Sequence, residues 1–362
     1  MTDTERSPAA VPAGLTETVR LVSGLVDRRL AAVLRGDQER YAALGAHARD
    51  VVQATRAAAF GGGKRLRPAL AFLGFVGAGG DPGDRRVVDL GVALELLHTA
   101  CLVHDDVMDG SAARRGMPAT HVAFAAMHRR RGYAGEPRRF GEGVAIAVGD
   151  FAFLSAMGLL AEAGTEVRRE FTEMAKDVCV GQYLDLLAAA RPADGTPDPE
   201  VVVRYKTARY TVQGPLRLGA ALAGRLGDLR DALDSYGRLV GVAYRLRDDL
   251  IGALADPAVT GEPAGDDPRQ GRHIPLLELA RARLPAADLA GNELLDRVAD
   301  GRLREGEIPT ALGLLRDLGV HEHVARACAE LTAEAGRAIE RVEFAAGAKD
   351  SLLQFAAHVA DV

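Results

Sequence analysis

His104-Asp105-Asp106-Val107-Met108-Asp109 closes LGVALELLHTACLVHDD, an apolar stretch with helical spacing. Residues four apart share a helix face, so Asp105 and Asp109 project together with Asp106 beside them. Carboxylates gathered at a helix C-terminus oppose the macrodipole, and a cation relieves that conflict. Hard oxygen ligands favour magnesium, which is usually held by one or two carboxylates plus substrate phosphates. The plain alternative is a solvated acidic helix end. A second acidic pair, Asp248-Asp249-Leu250-Ile251-Gly252, ends another apolar run, and there Arg245 and Arg247 could simply pair with the acids. Gly61-Gly62-Gly63-Lys64-Arg65-Leu66-Arg67-Pro68 combines glycines, which allow close backbone approach, with a helix start that offers N–H groups to an anion. Lys64 and Arg67 are spaced to meet one diphosphate from the same side. Arg114 and Arg115 follow the first acidic motif, and Lys206-Thr207 sets a cation beside a hydroxyl. Arginine forks match phosphate oxygens in pairs. Carboxylates for a metal together with several cationic clusters for diphosphates form a much rarer set than any one of these features.

The elements that must position these groups read as helices. Apolar residues recur at three- and four-residue spacing, predicting helices near 15–36, 41–59, 66–78, 84–106, 141–163, 166–190, 198–223, 228–254, 272–284, 286–303, 320–343 and 349–360. No stretch shows sustained period-two alternation bounded by hairpin signals. Gly110–Thr120 and the basic stretch Arg129–Gly141 read as loops, the second as an exposed insertion. Residues 1–14 read as a disordered lead-in, and residues 15–362 as a single helical domain. With 48% hydrophobic residues and no Trp, the core is expected to be mostly Ala, Leu and Val, which suit close helix packing. A net charge of −5 gives no reason to expect nucleic acid as a partner, since that calls for a basic face. Cys101, Cys179 and Cys328 lie far apart without a CxxC pair, which argues against a disulfide framework or a zinc site. No uninterrupted apolar run spans a bilayer and no apolar signal core opens the chain, so the protein is expected in the cytoplasm.

GGGKRLRP, ELLHTACLVHDDVMDGSAARRGMPATH, Gly149-Asp150, GQYLDL, YKTARYT and RDDLIGALADPAVTGEPAGDD occur in that order between about residues 50 and 280. In this the chain resembles the trans-type polyprenyl diphosphate synthases, particularly bacterial geranylgeranyl diphosphate synthases. The resemblance implies an all-α fold: one bundle of antiparallel helices around a central cavity, usually dimeric. It implies an activity that condenses isopentenyl diphosphate with an allylic diphosphate, with Mg2+ as cofactor. Asp105, Asp106, Asp109, Asp248 and Asp249 would hold the metal. Arg114, Lys206 and Arg272 would contact the allylic diphosphate, Lys64, Arg67, His98 and Arg115 the isopentenyl diphosphate. Gln182 and Thr207 would face the carbocation.

Several positions depart from the family pattern. Gly252 replaces the third acid of the second motif, Arg245 stands where the family usually has Gln, and Glu262 where it usually has Lys. Gly271-Arg272-His273-Ile274-Pro275 sits where Gly-Lys-Arg-Thr is typical. Arg245 and Glu262 look like an exchange of charge and are expected to form an ion pair. Small residues at Ala100 and Cys101, where short-chain members place an aromatic floor, with Leu97 one turn further, imply a C20 product. Two alternatives stay open on the same fold: a cyclase or irregular coupling enzyme, and a non-catalytic partner subunit. The intact Lys64, Arg67, His98 and Arg115 set favours elongation, because a cyclase has no need of an isopentenyl site.

Overall fold

The computed structural model describes residues 14–190, 195–254, 275–285, 287–299 and 302–361. In chain order these form α1 (Leu15–Ala42), α2 (Ala46–Phe60), α3 (Leu66–Gly77), α4 (Arg85–Met108), the two-residue strands β1 (Ala113–Arg114) and β2 (Met117–Pro118), α5 (Thr120–Arg131), α6 (Pro137–Leu159) and α7 (Thr165–Ala190). Then follow α8 (Pro199–Val203), a π-helical segment (Arg204–Gln213), α9 (Gly214–Leu222), α10 (Leu226–Leu254), α11 (Pro275–Arg283), α12 (Leu289–Ala299), α13 (Ile308–Asp317), α14 (Val320–Glu340) and α15 (Ala346–Ala360). Contacts gather into two compact units. The first comprises Met1–Thr172, Pro215–Leu229 and Phe344–Ser351; the second comprises Glu173–Gly214, Arg230–Glu343 and Leu352–Val362.

In the first unit α4 packs against α1, α3 and α6. Its start is set by Asp84, whose carboxylate accepts from the Arg86 N–H at 2.9 Å, satisfying one of the free donors of the first turn. Val103, Ala145 and Val148 form a buried cluster with Val51, Ala54, Ala58, Val107 and Val144 around them. Val103 and Val107 bracket the first acidic motif, so the same packing anchors the end of α4 that carries Asp105 and Asp106. The α4 and α6 helices are long and apolar enough by length and composition to cross a membrane, where no such span was expected. The apolar window of α4 is 67% buried, as in a core helix, and that of α6 is 28% buried.

The segment expected as a loop over Arg129–Gly141 is mostly helix: α5 runs to Arg131 and α6 begins at Pro137. Glu136 accepts from the N–H groups of Arg138 and Arg139, and Pro137 fills the first helical position, where its missing N–H costs nothing. Gly132 leaves α5 at φ 62°, and the rings of His128, Tyr133 and Phe140 close the turn with centroids 5.1 to 6.0 Å apart. Helix α13 lies where no helix was predicted. Gly110–Thr120 contains the β1–β2 pair, in which Ala113 faces Pro118 and Arg114 faces Met117.

The helix predicted over 198–223 is present from Pro199 to Leu222, but its middle, Arg204–Gln213 in the second unit, is π-helical. Hydrogen bonds from i to i+5 widen the backbone there. Three glycines make room for it. A Cβ on Gly181 of α7 would lie 2.7 Å from the Lys206 Cα, one on Gly237 of α10 2.5 Å from the Gln213 Cα, and one on Gly241 2.6 Å from the Ala208 Cα. Tyr236, fully buried, donates to the Leu352 carbonyl at 2.7 Å.

Candidate active site

The first acidic motif occupies the last turn of α4. Asp106 is only 4% exposed, Asp105 is half-buried, and Asp109 is the exposed C-cap, its N–H donating to the Asp105 carbonyl at 2.8 Å. The β1 strand carries Arg114 back over this end. Its Nε donates to an Asp106 oxygen at 2.7 Å, and its Nη2 lies 3.3 Å from Asp105. Burial pushes the Asp106 carboxyl above its ordinary value, with the Arg114 hydrogen bond opposing. Burial also works against the Arg114 charge, but the Asp106 hydrogen bond and the acidic neighbours outweigh it, and its pKa is raised. His104, the residue before the pair, is seated by α6. Its Nε2 is 3.1 Å from the Ile146 carbonyl and 3.6 Å from an Asp150 oxygen, and a side chain on Gly149 would strike its ring. The Gly149-Asp150 pair therefore positions the acidic motif through His104.

The glycine loop is held from below. Arg65 takes φ 49° and is 7% exposed. Its guanidinium donates to Glu95 at 2.6 Å, to Asp27 at 2.9 Å and to the Ala59 carbonyl at 2.9 Å. With Arg65 pinned, Lys64 stays exposed and Arg67 enters the first turn of α3, half-buried. Arg115, at φ 52°, reaches across from the hairpin and donates to the Gly62 carbonyl. Arg115 thus meets the glycine loop that carries Lys64, with Arg67 near enough to bear on its charge. His98 lies on the α4 flank of it. Burial first, and then the charges of Arg67, Arg115, Arg114 and Arg65, hold its pKa well below the ordinary histidine value. Burial lowers the Arg115 pKa too, and Arg114 adds to that; Glu95 opposes them, while Arg65 and Arg67 lower it further. Four guanidinium groups bear on this one imidazole, and two of them, Arg65 and Arg114, are themselves paired with carboxylates. Leu97 and Ala100 are buried and Cys101 half-buried on the same helix.

In the second unit Asp249 is 3% exposed and Asp248 is exposed. Arg245, one turn earlier on α10, places Nη2 at 2.8 Å from an Asp249 oxygen. The expected partner of Arg245, Glu262, lies outside the described residues, as does Arg272. Arg245 lines a cleft with Lys206, Thr207, Asp185 and the apolar residues Ala188, Pro199, Val202 and Val203. Lys206, in the π-helical segment, donates to Asp185 of α7. Gln182, also on α7, keeps its Nε2 buried with no hydrogen-bond partner among the described residues.

Arg65, Glu95, Asp27 and Asp185 are positioning residues that motif spacing did not single out, and His104, read as part of the first motif, had no role assigned there. His121 belongs with them, buried at the start of α5 and close enough to bear on the Asp106 carboxyl. Among the described residues no three carboxylates, histidines or cysteines converge as ligands of one ion. The donor chemistry nevertheless fits a hard divalent cation. Asp105 and Asp106 present neighbouring oxygens that already share one cationic group, and magnesium needs only one or two carboxylates when substrate phosphates supply the rest.

Acidic helix ends, a glycine loop and clustered cations on helices define an all-α protein of the isoprenoid synthase fold. A sequence model described as polyprenyl synthetase matches residues 49–288. The chain is 33% identical over 232 residues to a short chain isoprenyl diphosphate synthase of Methanothermobacter thermautotrophicus, covering 63% of this chain and 66% of that relative, just under two thirds. It is 33% identical over 280 residues to the geranylgeranyl diphosphate synthase of Mycobacterium tuberculosis, covering 75% of this chain and 73% of that one. Other relatives at about this identity are named geranylfarnesyl and octaprenyl diphosphate synthases. The structure is similar, at a TM-score of 0.87 and 33% identity, to a Corynebacterium glutamicum geranylgeranyl pyrophosphate synthase solved with isoprenyl diphosphate and magnesium, covering 96% of this chain and 99% of that one. The chain belongs to the polyprenyl synthetase family, a family of prenyl-transferring enzymes.

Proposed function

We propose that this protein condenses isopentenyl diphosphate with an allylic diphosphate, in a magnesium-dependent elongation that ends at C20. The observation that carries the reading is the gathering of cations at the glycine loop, where Arg115 reaches from the hairpin to the Gly62 carbonyl and Arg67 opens α3 beside His98. Burial first, and then Arg67, Arg115, Arg114 and Arg65, hold its pKa down, and a diphosphate is the ligand that unites such cations at one place. That assembly supports elongation over cyclisation, because it provides for a second diphosphate besides the one beside the carboxylates. Lys64, Arg67 and Arg115 bind the isopentenyl diphosphate, and His98, kept neutral, orients it. Arg114, Lys206 and Arg272 meet the allylic diphosphate. Asp105, Asp106, Asp109, Asp248 and Asp249 would hold magnesium, which supplies neutralisation of charge on a departing diphosphate.

The allylic C–O bond breaks, its electron pair leaving with the diphosphate. The isopentenyl double bond then forms the new C–C bond to the allylic cation. A proton is lost to the released diphosphate, so no nucleophile–base pair is required of the protein. Gln182 and Thr207 orient their dipoles towards the cation. The reading also carries a cytoplasmic homodimer, which the family resemblance supports and sedimentation measures. C20 is supported by the small Ala100 and Cys101 on α4; relatives named for several lengths leave that assignment to experiment. The test supplies dimethylallyl, geranyl and farnesyl diphosphates, each with and without isopentenyl diphosphate and magnesium. C20 product that needs both, and a loss of several orders of magnitude for Asp105→Ala, are expected. Product formed without isopentenyl diphosphate, or full activity in excess chelator, overturns the reading.

A further inference from the structure

We propose that Arg245 is the resident cation of the second acidic motif and sets how readily that motif takes up a free divalent ion. The inference rests on the preceding reading of Asp248 and Asp249 as metal-binding residues. Asp249 is 3% exposed, so its charge requires compensation within the protein, and Arg245 provides it at 2.8 Å. The guanidinium stays protonated at any working pH, so loss of a proton does not release the carboxylate. The first motif differs. Its cation, Arg114, arrives from a hairpin, whereas Arg245 is built into the same helix one turn from its partner. A bare divalent ion must therefore compete with a tethered side chain for Asp249.

The cleft shows what relieves that competition. Arg245 lines it with Thr207 and Lys206, and Lys206 is the cation assigned above to the allylic diphosphate. A diphosphate entering there gives the guanidinium a second anion to fork onto, freeing the Asp249 oxygen that Arg245 holds for a metal. Metal uptake at this motif is thereby coupled to diphosphate, and linkage requires the coupling to run both ways. Arg245 acts here as a positioning residue and not as a reacting group.

The test is Mn2+ binding followed by electron paramagnetic resonance, without any prenyl substrate. Arg245→Gln is expected to bind Mn2+ at least tenfold more tightly than wild type, and Arg245→Lys to stay close to wild type. Adding inorganic pyrophosphate should bring wild type and Arg245→Gln together. The gain should vanish when Asp249→Asn is combined with Arg245→Gln. If Arg245→Gln does not fold, Asp249→Asn alone answers the question: it should leave Mn2+ binding unchanged without pyrophosphate and weaken it with pyrophosphate. Equal Mn2+ affinity in wild type and Arg245→Gln, or a gain that survives Asp249→Asn, overturns the proposal while leaving metal-dependent condensation intact. Failure of wild type to bind Mn2+ even with pyrophosphate overturns both.

Discussion

Substituting alanine for Gly181 tests how Lys206 is placed. The added methyl would lie 2.7 Å from the Lys206 Cα and closer still to its backbone nitrogen. Helix backbone cannot step aside as the end of a flexible side chain can, so the cost sits at the upper end of the ~1–3 kcal/mol typical of overpacking. Alanine returns about 1 kcal/mol of helix propensity over glycine. The expected net loss is about 2 kcal/mol, read as a lower urea midpoint with circular dichroism. Because the strained atoms belong to Lys206, prenyl transfer by the folded fraction should also fall at least tenfold. Gly143→Ala in α6 is the internal control: beyond its own helical turn no atom of the described residues lies within 4 Å of the added methyl, so the same substitution should stabilise. Equal midpoints for the two variants, with activity retained in Gly181→Ala, would refute the account of the π-helical segment as packed against glycine.

Arg65→Ala strands Glu95, which is 4% exposed, without its guanidinium, and should cost ~3–5 kcal/mol in chemical denaturation; a loss below about 1 kcal/mol would mean the clamp is unimportant. For His98 the native state refuses a proton that the unfolded chain binds below its ordinary value of 6.5. Stability should therefore fall as pH drops below that value, by at most about 1.4 kcal/mol per pH unit, until the depressed native pKa is reached. His98→Gln should flatten this slope, and an unchanged slope would contradict the depressed value. Cys101→Phe should shift the proposed C20 product towards C15, as gas chromatography of the hydrolysed products would show, and an unchanged product would refute length control by this face of α4.

Helix periodicity was legible in the sequence because it is local. Asp198-Pro199 starts α8 by the side-chain acceptor and fixed φ that its residues announce. The α5 helix escaped because THVAFAAMHRRR does not confine its apolar residues to one stripe, so period gives no signal. At the site, Asp105, Asp106 and the cationic pairs stand out by type and spacing. Arg65 does not: in Lys-Arg-Leu-Arg it reads as one more solvent cation, and only the meeting of α1, α2 and α4 makes it buried. The link between Lys206 and Asp185 is likewise tertiary. A glycine inside an otherwise helical run, Gly181, was the one local hint of close backbone approach there.

The assembly of each unit from three separated stretches has a consequence for synthesis of the chain. Phe344 fills the space above Gly77, and the Ala345 N–H donates to the Gly77 carbonyl at 2.9 Å, so the first unit closes on residues made near the end. The second waits as well, because the carbonyl that takes the Tyr236 hydroxyl is that of Leu352, in α15. Such non-local closure is slow and leaves apolar surface exposed meanwhile. A nascent chain on the ribosome therefore carries both units unfinished until the last helix emerges, and a chain truncated before Phe344 is expected to aggregate without completing either unit.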